Sequence, residues 1–212
     1  MSRMALPEDL DRLLHDLRGP LNAMQMHVEL LKRLDVGDRG ATASLETIGQ
    51  EVLRLARLLP AAFQVVGLEL GEVGAHDLRA LVVEAFEEHG VKGVGVTAGA
   101  WPRVAVDARL LRLAVAHLAR NAVAATGAGA RAPEISAAGE GDRVAVVVRD
   151  WGRGLRTTNP RALIRLAIDP AGKPSVGLVT VERVARLHGG RVEFASPPGG
   201  GAEVRLVVPA AR

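Results

Sequence analysis

The chain has 212 residues, 48% of them hydrophobic and 24% charged, which is enough for one medium domain or two small ones with buried cores. The aromatic content of 2%, without a single Tyr, leaves no stacking platform for single-stranded nucleic acid, and the formal net charge of +3 is spread by alternation of Arg with Asp and Glu. The absence of Cys excludes disulfides, thiolate catalysis and zinc-thiolate sites, and fits a reducing, cytoplasmic setting. No run approaches the roughly 20 apolar residues of a spanning helix, and the first residues are too charged for a signal peptide, so neither a nucleic-acid nor a membrane partner is expected.

From Pro7 to about Leu34 the pattern predicts a helix, with Pro7 in its first turn and Glu8, Asp9 and Asp11 complementing the helix dipole. Leu10, Leu14, Leu17, Leu21, Met24, Val28 and Leu31 follow a 4-3 heptad order, which demands a partner helix. After the breaker VGDRG, a second helix is expected to open near Thr42 or Ser44 and to repeat the seam at Leu45, Ile48, Val52, Leu55 and Leu59. A lone hairpin would leave much of both seams wet, so a homodimeric four-helix bundle is expected from residues 1–66.

Past Phe63 the pattern changes to short strands and helices. LELGEV and VGVTA are predicted as strands around a helix from His76 to His89, and WPRVAVD leads into a long helix from about Asp107 to Thr126. PEISAAG and RVAVVVRD form a predicted hairpin, followed by a loop to Pro160, the short helix RALIRLAI, a helix from about Gly177 to His188 and a closing hairpin around PPGGG. The expected class is α+β, with residues 67–212 forming one mixed sheet with helices on one face.

Three segments carry candidate chemistry. His15 lies just off the seam in His-Asp-Leu-Arg-Gly-Pro-Leu, so its imidazole is expected to face outward as a nucleophile, with the Asp16 carboxylate orienting it and accepting its proton. Pro20, inside the same helix, costs about 3 kcal/mol and marks a bend. Asp150 stands at a strand end before Trp151, Gly152, Arg153 and Gly154, where it can accept a hydrogen bond from an exocyclic amine while a ligand approaches the backbone at the glycines. Asn121, on the long helix, offers a hard amide oxygen suited to Mg²⁺ beside phosphates. Taken singly, each has a bland reading: a surface histidine, a turn, an unremarked Asn. His27, His117 and His188 are expected to be satisfied or solvent-facing residues, Gly189, Gly190 and the run from Pro197 to Gly201 simple turns, and Trp101 and Trp151 have no assigned role.

Taken in order, these segments resemble the boxes of histidine kinases over nearly the whole chain, from Leu10 to Pro209. Residues 15–21 are similar to the phosphoacceptor box, Asn121-Ala122 with Thr126 to the asparagine box, Asp150 with Gly152 and Gly154 to the first glycine box, and Gly177-Leu178 to the second. The resemblance implies a dimerising hairpin that bears the histidine and an ATP-binding domain of the gyrase type. It also implies ATP-dependent phosphorylation of His15, adenine contact by Asp150, Mg²⁺ held by Asn121, and transfer to the aspartate of a response-regulator receiver domain. Departures from the family pattern are His117 in place of an Asn, Ala124 in place of a basic residue, Ser175-Val176 where a glycine normally precedes Gly177, and a lid from Leu155 to Ser175 without Phe. Lys173 in that lid could reach a phosphate as a point charge. These departures keep two alternatives open: a histidine phosphotransferase relay with a decayed ATP site, and a scaffold that docks receivers without chemistry. Gly19, where phosphatase-active members carry Thr or Asn, predicts weak phosphatase activity. At this length there is no room for a sensor domain, so the stimulus is expected through a separate sensor partner, through another chain, or not at all.

Overall fold

The structure is a computed structural model that describes residues 8–31, 33, 39–127, 130–169 and 172–211, with side chains described from residue 13 onward. Pro7 therefore lies outside the described residues, and the predicted roles of Glu8, Asp9, Leu10 and Asp11 fall on side chains outside the described ones. In chain order the elements are α1 (Glu8–Leu31), α2 (Arg39–Val66), β1 (Gly74–Asp77), α3 (Leu78–Glu88), β2 (Gly95–Val96), β3 (Arg103–Val106), α4 (Ala108–Ala125), β4 (Glu134–Glu140), β5 (Arg143–Arg149), a single 3-10 turn (Pro160–Leu163), β6 (Ala167–Ile168), β7 (Pro174–Ser175), α5 (Gly177–Leu187), β8 (Arg191–Ala195) and β9 (Glu203–Pro209). They form two compact units, residues 1–67 with 165–176, and residues 68–164 with 177–212.

In the first unit α1 and α2 form the expected hairpin, joined near the end of α1 and the start of α2 by a 3.3 Å hydrogen bond between His27 Nδ1 and Ser44 Oγ. That bond explains why α2 opens at Arg39 and not at Thr42 or Ser44: the Ser44 hydroxyl is buried against α1 and does not cap a helix start. Leu13, Leu55, Leu58, Ala61, Ala62 and Val65 are buried. The predicted seam is only half covered within one chain. Leu14, Leu21 and Val28 on α1, and Leu45, Val52 and Leu59 on α2, recur every seven residues and remain exposed. The short antiparallel pair β6–β7 packs with this unit through α2.

In the second unit a five-stranded mixed sheet has the order β2-β4-β5-β9-β8, with β2–β4 parallel and the other pairs antiparallel. A core built on Leu78, Val82, Leu110, Leu111, Val115, Ile135, Val146, Val181 and Leu206 joins α3, α4 and α5 to that sheet. β1 pairs antiparallel with β3 in a separate two-stranded ladder. The predicted strand LELGEV does not form, because its backbone is claimed by side chains. Gly71 N–H donates to Asp107 Oδ2 at 2.9 Å, and the carbonyls of Glu69 and Leu68 accept from Arg109 and Arg183. His76, predicted to open α3, belongs to β1; the N-cap is Asp77, whose carboxylate accepts from Ala80 N–H. Asp107 caps α4 in the same manner. Burial opposes its charge, but the N–H groups of Gly71 and Leu110 and the nearby Arg109 outweigh that and hold its carboxyl below the ordinary carboxylate value.

His188 is buried and fully satisfied, its Nε2 accepting from Asp107 N–H at 2.9 Å while Nδ1 lies 2.8 Å from the Val184 carbonyl. The predicted helix RALIRLAI shrinks to the 3-10 turn: Ile164 and Leu166 are buried and Ala167–Ile168 pairs as β6 instead. Among the described residues no helix is long and apolar enough to cross a membrane.

Candidate functional site

The site in the second unit is built along one side of α4. At the carboxyl end of β5, Asp150 is nearly buried, 6% exposed, and its Oδ1 accepts from Gly152 N–H at 2.9 Å and Ala202 N–H at 3.3 Å. Those two donors fix the carboxylate and leave Oδ2 for an incoming donor such as an exocyclic amine. The loop is then pinned on two sides. A Cβ on Gly152 would lie 2.0 Å from the Ala125 carbonyl oxygen at the end of α4, and one on Gly201 would lie 2.0 Å from the Asp150 carbonyl oxygen. Gly154, at φ +69°, sits against Gly201 in turn.

About one and two turns upstream on α4, Asn121 and His117 face the start of α5. A Cβ on Gly177 would meet the Asn121 amide at 3.3 Å and His117 Nδ1 at 3.4 Å. From residue 117 to 125 the helix rises roughly 12 Å, so the α5 N-terminus and the Asp150 loop bracket a stretch of α4. The α5 N-terminus presents N–H groups and the positive end of a dipole, a setting for anionic phosphate, and Asn121 could offer a hard oxygen to a divalent cation beside it. Leu178 follows Gly177 and packs its side chain on the core. Among the described residues no group of three His, Asp or Glu side chains could hold a metal unaided, so a cation here would take most of its ligands from phosphate and water.

His117 is half-buried and makes no hydrogen bond among the described residues. Burial, then Arg120 and His89, push its imidazole down from 6.5 to about 4. A folded-state value below the unfolded one means that the unfolded chain takes up the proton first. Stability is therefore full above pH 6.5 and falls as pH drops toward 4, by an amount of the order of 3 kcal/mol. Urea melts at the two ends of that window should show this loss in the wild-type chain and a smaller one in His117→Asn.

In the first unit His15 lies on α1 with its side chain 81% exposed, and its Nδ1 is 3.9 Å from Asp16 Oδ1. Asp16 Oδ2 accepts a 2.8 Å hydrogen bond from Leu166 N–H, so the carboxylate is anchored on one oxygen and turned toward the imidazole with the other. Lys173 belongs to the same unit: its backbone N–H donates to Asp169 Oδ1 at the β6–β7 turn and its side chain is exposed.

The structure thus gathers Asn121, Gly177 and Leu178 at one end of the α4 stretch and Asp150, Gly152 and Gly154 at the other, while His15, Asp16 and Lys173 belong to the hairpin unit. Sequence reasoning missed two contributors. Gly201 was expected to be turn chemistry only, yet with Ala202 it buttresses Asp150; the third consecutive glycine was the available signal. His117, set aside as a bystander, faces the same place as Asn121, and their spacing of one helical turn was the clue.

Residues 106–212 match the family model of the histidine kinase-, DNA gyrase B- and HSP90-like ATPase. The chain is 27% identical over 214 residues to the alginate biosynthesis sensor protein KinB of Pseudomonas aeruginosa, covering 93% of this chain and 36% of that protein. It is 30% identical over 217 residues to the sensor histidine kinase MtrB of Mycobacterium tuberculosis, covering 93% and 38%. The chain therefore spans little more than a third of the length of these curated relatives. Among solved structures, full-length ShkA in complex with AMPPNP superposes with a TM-score of 0.57 at 25% identity, over 98% of this chain and 46% of that one. The ATP-binding domain of PrrB from Mycobacterium tuberculosis, at 24% identity, shares the fold with a TM-score of 0.54 over 67% of this chain and all of that one. With half of its residues matched by the ATPase model and nearly all of them aligned to sensor kinases, the chain belongs to the histidine kinase family.

Proposed function

We propose that the chain is an ATP-dependent protein-histidine kinase that phosphorylates His15 and passes the phosphoryl group to a receiver aspartate. The observation that carries this reading is the state of Asp150: a buried carboxylate with one oxygen fixed by two backbone N–H groups and the other left for a donor, at the mouth of a loop lined by Gly152 and Gly154. Adenine offers that donor in its exocyclic amine. The phosphates would then run along α4 toward Asn121 and the α5 N-terminus, where bound Mg²⁺ would neutralise developing charge.

On the acceptor side, Nδ1 is the nitrogen turned to Asp16, which leaves Nε2 to attack. The Nε2 lone pair forms a bond to the γ-phosphorus, the bond from that phosphorus to the β–γ bridging oxygen breaks, ADP leaves, and the Nδ1 proton passes to Asp16. Positioning supplies most of the acceleration. The acceptor reading of His15 draws support from its exposure and from the anchoring of Asp16 by Leu166.

The reading is tested by incubating the protein with γ-labelled ATP and Mg²⁺, and in parallel with a phosphorylated receiver domain. Acid-labile label from ATP is the expected result. Label from the receiver alone identifies a phosphotransfer relay, the reading that Ser175-Val176 would favour, and label from neither identifies a docking scaffold.

The exposed seven-residue stripes on α1 and α2 support a homodimer joined as a four-helix bundle. A charge at their middle is expected to split it: Val52→Glu should run as a monomer by light scattering at concentrations where the wild-type chain is dimeric.

A further inference from the structure

We infer that Trp151, held by the guanidinium groups of Arg131 and Arg149, is a positioning residue that keeps the Asp150 carboxylate aimed at an incoming exocyclic amine, and so sets the preference of the site for adenine. This rests on the nucleotide-binding reading above and concerns a side chain to which that reading gives no role.

Three observations carry it. First, the Arg131 guanidinium lies 3.7 Å from the centre of the Trp151 ring and that of Arg149 lies 5.3 Å from it, both within the range in which a cation is drawn to the negative face of an indole. Each arginine is itself anchored: Arg131 donates to Glu134 Oε1 on β4 at 2.7 Å, and Arg149 donates to the Gly200 carbonyl at 2.7 Å. The ring is thereby tied both to a strand and to the turn that leads into Gly201. Second, Arg149 Nη1 is buried and has no hydrogen-bond partner among the described residues, so contact with the indole offsets part of the cost of its burial. Third, ring and carboxylate stand on opposite faces of one strand end. Val144, Val146 and Val148 enter the core, so alternation turns Arg149 to the outer face, where Trp151 joins it, and turns Asp150 inward, where it is 6% exposed. Swinging the carboxylate out of place would draw the ring off both guanidinium groups.

The other indole shows a different arrangement. Trp101 packs on the core and donates its Nε1 to the Thr97 carbonyl at 3.2 Å, whereas Trp151 is held by charge at the residue that joins Asp150 to Gly152. Arg131 lies on the connection that leaves α4, and the Ala125 carbonyl at the end of that helix meets Gly152. The end of α4 therefore reaches the loop twice, through the Gly152 backbone and through the Trp151 ring, which couples the carboxylate to the helix that carries Asn121.

The test measures, by calorimetry on the full chain with Mg²⁺, the affinities for ADP and for inosine diphosphate, in which a carbonyl oxygen replaces the exocyclic amine. The wild-type chain is expected to prefer ADP. Arg131→Gln alters a side chain that is 60% exposed and leaves the core alone. It should lower ADP affinity about fivefold, and Trp151→Ala about tenfold, while affinity for inosine diphosphate changes by less than about twofold. Trp151→Phe keeps an aromatic face for the two guanidinium groups and should recover most of the preference. A ring that served only to stabilise the fold would lower both affinities together. Equal loss of both nucleotides, or an ADP preference unchanged in Arg131→Gln and Trp151→Ala, overturns the positioning role and leaves the nucleotide reading standing. Failure of the wild-type chain to bind ADP overturns both, and equal wild-type affinity for the two nucleotides overturns the role given to Asp150 and with it that of Trp151.

Discussion

Gly201→Ala is expected to destabilise the second unit by about 3 kcal/mol or more and to abolish ADP binding. Two independent terms add. At φ +74° the residue lies in the left-handed region, where a Cβ costs roughly 1–2 kcal/mol. The Cβ would also lie 2.0 Å from the Asp150 carbonyl oxygen and 2.7 Å from Trp151 Cα, backbone atoms that cannot rotate away as a side chain does. The strands on either side hold that loop in place: β5 and β9 pair in full register up to Arg149 and Glu203, and Asp150 N–H donates to the Ala202 carbonyl. Relief therefore has to come from moving the very carboxylate proposed to read adenine. Gly199→Ala separates the two terms. It shares a positive φ, +90°, but a Cβ there meets nothing within 4 Å, so only the conformational cost of about 1 kcal/mol should appear in a urea melt, with ADP binding retained. Equal destabilisation by the two substitutions would mean that contact with Asp150 is not what Gly201 is kept for.

That glycine also shows where reading a sequence stops. Element types were legible because period and caps are local: the 4-3 seam gave α1 and α2, and apolar runs between turn residues gave β4, β5, β8 and β9. The failures were long-range. LELGEV has the composition of a strand, but Asp107, Arg109 and Arg183, 36 to 115 residues away, take its backbone groups, and nothing local announces that competition. Ser44 has the chemistry of a helix cap, but His27 on the other helix claims its hydroxyl. The aliphatic run in RALIRLAI fits a helix, yet burial of Leu166 and pairing of Ala167–Ile168 with Pro174–Ser175 divide it.

The site divides along the same line. Asp150, Gly152 and Gly154 could be singled out together because the carboxylate and the two glycines that pack around its loop are adjacent in sequence. Asn121 and Gly177 were singled out separately, and only the packing of α4 on α5 brings them face to face. His117 and Gly201 lie against partners 60 and 51 residues away, Gly177 and Asp150, and only the fold reveals that proximity. Segment 165–176 is the sharpest case. Its sequence position suggests a lid on the nucleotide domain, while its backbone donates to Asp16 on α1, 150 residues earlier.

That contact sets up the comparison expected to have the largest effect on chemistry. His15→Gln should reduce acid-labile label from ATP to background, because an amide nitrogen is no nucleophile. Asp16→Asn should slow the labelling of His15 by about 10²- to 10³-fold, the range for loss of a positioned general base. An Asn keeps a side-chain oxygen for Leu166 N–H, so the hairpin unit should melt as the wild-type chain does. Rate and stability therefore come apart in this variant: the hydrogen bond to Leu166 needs only an acceptor, and the transfer of the Nδ1 proton needs a base. Should Asp16→Asn be labelled at the wild-type rate, the carboxylate serves to hold residues 165–176 and the imidazole proton leaves to solvent; should it lose stability instead, the anchoring demands the full charge of a carboxylate.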